Sequence, residues 1–240
     1  MDQVSVIVVA AGTSQRFGGE TKKQFVEVAG RPLALWSARR FAVLRKALSE
    51  VVLVVPPEDL TMVSTEYAEA LKWAGVSRVV GGGARRPESV AAGLAALERS
   101  APLVAIHDGA RPLVSGKCIQ AAVKTATRVG AAVVAVRVKE TLKRANDENL
   151  VTSTLDRVGL WQTQTPEVFV RELLERAFQK ADLNDRSITD DAQLVERLGA
   201  AVAVVPGSYD NIKVTTPADL RIVAALLEAE VGRRKSRSGS

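Results

Sequence analysis

Arg16, Lys22 and Lys23 follow an apolar run that ends at Ala11, in the stretch VVAAGTSQRFGGETKKQF over residues 8–25. Glycine in such a loop lets backbone N–H groups come close to phosphate oxygens, and successive amides form a concavity for an anion. A guanidinium bridges two oxygens with its planar fork, while lysine adds a mobile point charge. The chemistry on offer is the holding of a polyanion. The spacing matches neither the Walker A pattern nor G-x-G-x-x-G, which disfavours the usual triphosphatase and dinucleotide folds.

Three further stretches are built alike: GGGARRPES at 81–89, HDGARP at 107–112 and SYDNIKVTTPADL at 208–220. The glycines of the first, with Ser89 at a helix start, suit an anion or a polar base edge, or form a turn with an N-capping serine. His107 is the only histidine, and at the end of an apolar strand it reads as a packed structural residue before a base. Asp108 beside it suits a magnesium ion or a substrate hydroxyl, or a cap for the GARP turn. Arg111 binds phosphate or pairs with an acid. Thr189-Asp190-Asp191 reads as a helix N-cap with acids in the first turn, and Pro217 as a first helical residue. Lys213, flanked by Ile212 and Val214, needs a partner.

What is missing narrows the chemistry. There is no Cys–His pair, no serine nucleophile motif and no histidine cluster for zinc. Cations, glycine loops and one or two carboxylates suit phosphoryl or nucleotidyl transfer, in which positioning and charge neutralisation supply most of the acceleration. A phosphate nucleophile needs no general base, but two polyanions must be brought together. Arg16, Lys22, Lys23, Arg85, Arg86, Arg111, Arg157 and Lys213 are the cations available.

These loops need a scaffold. Val4–Ala10, Val51–Val55, Leu103–His107, Ala131–Val138 and Ala201–Val205 are of strand length and apolar on both faces. Helical patterns lie near 32–47, 59–74, 87–99, 116–129, 167–180, 190–198 and 217–231. Continuous apolar strands separated by helices predict a parallel sheet covered on both sides, an α/β doubly wound domain. In such sheets ligands sit beyond the carboxyl ends of the strands, where the candidate loops fall. Residues 137–163 break the rhythm, alternating polar and apolar around an NDEN turn. That predicts a projecting hairpin arm with one face to bury, a second subunit being one candidate partner.

The 240 residues allow one substantial domain, taken as 1–231. A net charge of +6 suits nucleic acid, but four of the cations stand in the tail GRRKSRSGS at 232–240. That tail is expected to be disordered. Aromatic residues at 4% are too few for a base-stacking platform, so nucleic acid is not the expected partner. No apolar run approaches the roughly 20 residues that span a bilayer. The N-terminus lacks the cations of a secretory signal, and Cys118 has no internal partner, so a cytoplasmic, membrane-free protein is expected.

The motifs A-A-G-x-x-x-R-F-G, K-Q-F, G-R-P-L, G-G-x-x-R-x-x-S-V, H-D-G-A-R-P, L-x-R-x-G-L-W-x-x-Q-T-P, I-T-D-D-A and N-I-K-V-T-T-P-x-D-L follow in that order. The sequence closely resembles the 2-C-methyl-D-erythritol 4-phosphate cytidylyltransferase family over residues 4–230. The resemblance implies a nucleotidyltransferase-type sheet. It also implies magnesium-assisted attack of the methylerythritol phosphate on the α-phosphorus of CTP, with pyrophosphate leaving, in the non-mevalonate isoprenoid pathway. By resemblance, Arg16 and Lys23 stabilise the pentacoordinate phosphate. Ala10, Ala11 and Gly12 line the nucleotide loop, while Gly82, Gly83, Ala84 and Ser89 contact the cytidine. Asp108, Gly109 and Arg111 lie near ribose, metal and substrate. Thr141, Arg157, Thr165, Thr189 and Lys213 hold the methylerythritol phosphate, Arg157 and Lys213 aiming its phosphate. The arm at 137–163 interlocks a homodimer, so that Thr141 and Arg157 reach the other subunit's site. Lys22 stands where the family usually has proline, and Lys23 keeps the register of the loop lysine. A cytidylyltransferase for ribitol or another polyol phosphate is the nearest rival, and a non-catalytic nucleotide sensor is the reading from another class.

Overall fold

The computed structural model describes residues 1–12, 22–98 and 100–238; of Lys23 and of residues 234–238 only the backbone is described. The strands are β1 (Val4–Val9), β2 (Glu27–Val28), β3 (Arg31–Pro32), β4 (Leu48–Val55), β5 (Arg78–Gly81) and β6 (Leu103–Asp108), then β7 (Ala131–Arg137), β8 (Leu142–Ala145), β9 (Val151–Leu155), β10 (Trp161–Val170) and β11 (Ala203–Pro206). The helices are α1 (Leu33–Arg39), α2 (Leu60–Glu66), α3 (Ala68–Ala74), α4 (Arg86–Ala95), α5 (Gly116–Val129), α6 (Arg171–Lys180), α7 (Ala192–Glu196) and α8 (Pro217–Ser238).

Seven strands make one sheet in the order β11-β7-β10-β6-β1-β4-β5. β1 pairs in parallel with both β4 and β6, and β10 runs antiparallel between β6 and β7. Val4, Val6 and Val8 face the layer of α1 and α5, whereas Ile7 faces α4, α6 and α7. Both faces are thus covered, which is why β1 is apolar on both sides except at Ser5, whose buried hydroxyl donates to Glu50 Oε1 at 2.9 Å. From β1 the chain winds out through β4 to β5, then returns to β6 on the other side. The strand order reverses between β1 and β6, where a crevice opens at the carboxyl ends of an α/β sheet.

The expected doubly wound sheet is present, with several boundaries moved. The helix expected over 167–180 starts at Arg171, because residues 167–170 finish β10. Glu167 breaks the apolar run there and hides the strand. The helix expected over 32–47 is α1 followed by tighter 3₁₀ turns, with Arg45 at a φ of 51°. The 59–74 helix divides at Tyr67, β5 emerges as a short, half-buried edge strand, and α7 is only a fragment of 190–198. α5 has the predicted bounds, opened by Ser115, whose Oγ accepts from the Cys118 N–H at 3.2 Å. The tail expected to be disordered from 232 instead continues α8 to Ser238. Arg and Lys are good helix formers, so the basic residues of the tail favour continuing the helix.

The arm leaves the sheet after Arg137 and returns at Trp161, which pair with each other. Its tip is the antiparallel pair β8–β9. Leu150, Val151 and Val158 on it are exposed, Val158 by 83%. Within one chain the arm does not bury the apolar face expected of it.

Candidate active site

The crevice between β1 and β6 is shaped by close backbone approaches. Val9 and Asp108 are register partners, and the Gly109 N–H donates to the Val9 carbonyl at 2.8 Å. A Cβ on Gly109 would lie 3.0 Å from the Ala10 Cβ. The Ala10 N–H donates to Val54 O at 2.7 Å and the Gly82 N–H to Val55 O at 2.8 Å, which brings the loops after β1 and β5 together. At Gly82 a Cβ would stand 2.6 Å from Ser89 Oγ and 2.7 Å from the Ala11 Cβ. Only glycine allows that contact.

The loop 82–85 folds over the start of α4. Ser89 Oγ accepts from the Gly83 N–H at 3.2 Å, and Glu88 Oε2 accepts from the Ala84 N–H at 2.8 Å. Ser89 is buried, so its hydroxyl is engaged with the loop backbone. Gly12 is exposed, and its carbonyl accepts from Gln24 Nε2 at 3.1 Å. Arg16 and the side chain of Lys23 lie outside the described residues. Lys22 is drawn to the turn before α2, 2.6 Å from Glu58 Oε1 and 2.7 Å from Asp59 Oδ2.

Asp108 ends β6 at the centre of the crevice. Lys213 Nζ is 2.8 Å from its Oδ2, Arg111 Nε 3.5 Å from the same oxygen and Arg86 Nε 3.6 Å from Oδ1. Burial by itself would raise the carboxyl's pKa. Lys213, Arg86 and Arg111 outweigh it and hold Asp108 well below the usual carboxylate range. Arg111 Nη1 donates to the Asn211 carbonyl at 2.8 Å. Its Nε, though ion-paired, is a buried donor without a hydrogen bond among the described residues. Lys213 is placed by the turn around it. The Val214 N–H donates to Ala110 O at 2.9 Å, and Asp219 Oδ2 accepts from the backbone of Thr215 and Thr216 at 2.9 and 2.8 Å. That acid caps α8, which accounts for the T-T-P-x-D spacing.

His107 is structural. Thr165 Oγ1 accepts from the Asp108 N–H at 3.0 Å, which leaves the Thr165 proton for His107 Nδ1 at 2.9 Å. Nε2–H then donates to Arg111 O at 3.0 Å, a tautomer assigned from the network. Phe41 meets the ring edge-on at 5.2 Å. Burial lowers the imidazole pKa to about 4, so the ring is neutral. The Thr165 hydroxyl is accordingly used inside the protein, where it fixes the strand end that carries Asp108.

Three contributors had weak signals in the sequence. Arg86 counted only as one cation among several, yet its Nη1 lies 2.7 Å from Asp191 Oδ2. Asp191 read as an acid in the first turn of a helix, and its side chain is buried. Glu167 accepts the N–H groups of Asp191 and Ala192 at 3.1 and 3.2 Å. Burial and the neighbouring Asp191 charge push the Glu167 carboxyl well above its ordinary value. An acid inside the run Glu167-Val168-Phe169-Val170 was the one visible signal. Thr189 is exposed on the loop between α6 and α7. Thr141 and Arg157 stand on the arm, Arg157 donating to the Lys139 carbonyl, with no hydrogen bond or ion pair to the Asp108 cluster.

A family model described as 2-C-methyl-D-erythritol 4-phosphate cytidylyltransferase matches residues 4–229. The chain belongs to this family. A cytidylyltransferase of that name from Pelotomaculum thermopropionicum is 41% identical over the whole of both chains. One from Halalkalibacterium halodurans is 43% identical, covering 97% of this chain and 100% of its own. The crystal structure of the Thermus thermophilus cytidylyltransferase superposes with a TM-score of 0.75 at 34% identity, covering 93% of this chain and 98% of its own. The family is one of nucleotidyltransferases, which fits a site of cations around glycine loops. Among the described residues no group of three His, Cys, Asp or Glu side chains forms a metal cage. Asp108 is a single carboxylate, suited only to a magnesium ion that takes its other ligands from substrate phosphates and water. Among the described residues no helix is long and apolar enough to cross a membrane.

Proposed function

We propose that this chain joins CTP and 2-C-methyl-D-erythritol 4-phosphate to give 4-diphosphocytidyl-2-C-methyl-D-erythritol and pyrophosphate. The observation that carries the reading is the cluster of Lys213, Arg111 and Arg86 around Asp108, in the crevice flanked by the loops of Ala10–Gly12 and Gly82–Ala84. Two polyanions meet there only if cations offset their repulsion. The acceptor's phosphate oxygen forms the new bond to the α-phosphorus while the bond to the β-phosphate oxygen breaks, and pyrophosphate carries away the electron pair. No general base is needed.

The loops after β1 and β5 hold the nucleotide, with Gly82, Gly83 and Ala84 against the base and Asp108 and Gly109 towards the ribose. Arg16 and Lys23 steady the charge that builds on the α-phosphate. The capture of Lys22 by Glu58 and Asp59 favours Lys23 as the operative lysine. Lys213 and Arg111 receive the acceptor, joined by Thr189 and by Thr141 and Arg157 of the partner subunit in an arm-exchanged homodimer. The exposed apolar residues of the arm support that dimer. Magnesium, held by Asp108 and the phosphates, would neutralise triphosphate charge and assist departure of pyrophosphate. A cytoplasmic setting accords with the single buried Cys118.

Pyrophosphate release tests the reading, with CTP or another triphosphate and with methylerythritol phosphate or ribitol 5-phosphate as acceptor. Turnover is expected to require CTP, magnesium and methylerythritol phosphate together. A preference for ribitol phosphate would reassign the acceptor, and CTP binding without turnover would mark a nucleotide sensor.

A further inference from the structure

The loop between α6 and α7, residues 181–191, contains no helix or strand, yet it is held at both ends by charged groups from elsewhere. Arg85 Nη1 and Nη2 donate to the carbonyls of Leu183 and Asp185 at 2.5 and 2.9 Å. Arg86 Nη1 meets Asp191 Oδ2 at 2.7 Å, and Asp191 has a side chain only 1% exposed. Glu167 takes the backbone N–H groups of Asp191 and Ala192 from the sheet side. Ile188 and Asp191 are buried, and Thr189 between them is turned outward. The two arginines stand side by side at the start of α4, directly after the glycine loop.

Burying Asp191 and Glu167 around one guanidinium is a costly way to fasten a loop. A well-packed apolar cluster of similar volume commonly stabilises as much or more. A guanidinium provides something apolar packing does not, a fork that faces two carboxylates at set distances. Here the second is Asp108 Oδ1, 3.6 Å from Arg86 Nε. One side chain thus links the helix behind the nucleotide loop, the acid at the centre of the crevice and the loop that carries Thr189.

We infer that Arg86 is a positioning residue: through Asp191 it sets the loop that presents Thr189 to the acceptor, in register with the nucleotide loop on its own helix. The inference rests on the functional reading above and assigns Arg86 no contact with either substrate.

Two measurements on Asp191→Asn, Arg86→Gln, Arg86→Lys and the Arg86→Gln/Asp191→Asn pair test it. The first is amide hydrogen exchange over 182–191 without ligand, expected to speed up at least about 10-fold when the link is cut. The second is steady-state kinetics, in which Asp191→Asn is expected to raise the acceptor KM about 10-fold and to move the CTP KM less than about 3-fold. Arg86→Lys should recover part of the loss, since the charge remains but the fork does not. The double variant should be no worse than the worse single one, because both cut one link. If Asp191→Asn does not fold, Arg85→Gln, which loosens the other end of the loop where Arg197 still holds Asp185 and Ser187, should move the acceptor KM in the same direction by a smaller factor. Unchanged exchange overturns the link whatever the enzyme does. Faster exchange with an unmoved acceptor KM, or an equal rise for CTP, overturns the positioning role. An unsubstituted protein that does not turn over methylerythritol phosphate sinks the functional reading instead, and exchange still decides the link.

Discussion

Lys213 Nζ lies 2.8 Å from Asp108 Oδ2, although one residue precedes α8 and the other ends β6. Lys213 is still 39% exposed at its side chain, so it can meet a ligand without leaving the acid. Lys213→Ala is expected to lower kcat/KM for the acceptor about 100-fold, the usual consequence of losing one preorganised charge. Lys213→Arg should recover part of it. Steady-state kinetics with the acceptor varied at saturating CTP will check this.

His107 makes stability depend on pH. Its folded-state pKa is about 4, below the unfolded value near 6.5, so the unfolded chain binds the extra proton between those limits. Stability is therefore full above about pH 6.5 and falls as the pH drops towards 4. The loss from this group is about 2 kcal/mol between pH 7 and pH 5. Urea titrations at the two pH values should show it, and His107→Asn should remove the larger part of the slope. An unchanged slope in that variant would rule out the histidine as its source.

Gly82→Ala places a Cβ 2.7 Å from the Ala11 Cβ. The loops after β1 and β5 must then part, at a cost of about 1–3 kcal/mol for overpacking. The expected result is a CTP KM raised about 10-fold or more, with kcat less affected. Gly12→Ala is the comparison, since among the described residues nothing stands within 4 Å of a Cβ there.

Lys22 has partners that bear on which loop lysine acts. Lys22 pairs with Glu58 and Asp59 at a partly exposed site, where ion pairs add little to stability. Lys22→Ala should leave turnover within about 3-fold of the unsubstituted protein. Lys23→Ala should lower turnover about 100-fold while CTP affinity changes little. A larger effect at Lys22 would move the assignment.

The arm predicts an assembly. Val158 is 83% exposed and Leu150 and Val151 are exposed on the same arm. Light scattering at micromolar concentration should report a dimer, and Val158→Asp with Leu150→Asp should give a folded monomer of low activity. A monomeric unsubstituted protein that is fully active would exclude the shared site.

Local pattern was enough to reveal the layers. Val4–Val9 and Ala131–Arg137 are apolar on both faces and so must lie inside a covered sheet, and Ser115 announces α5 by capping it. The glycine loops and the cations after the strands were equally visible, because close approach to an anion demands those residue types whatever the fold. The antiparallel course of β10, the capture of Lys22 and the burial of Glu167 and Asp191 were decided only in three dimensions. Each depends on which strand lies next to which, and at what register. A carboxylate's neighbours across a sheet have no signature in the residues beside it along the chain. For the same reason Asp108 read as metal ligand, hydroxyl acceptor or turn cap until β6, α4 and the turn before α8 set three cations around it.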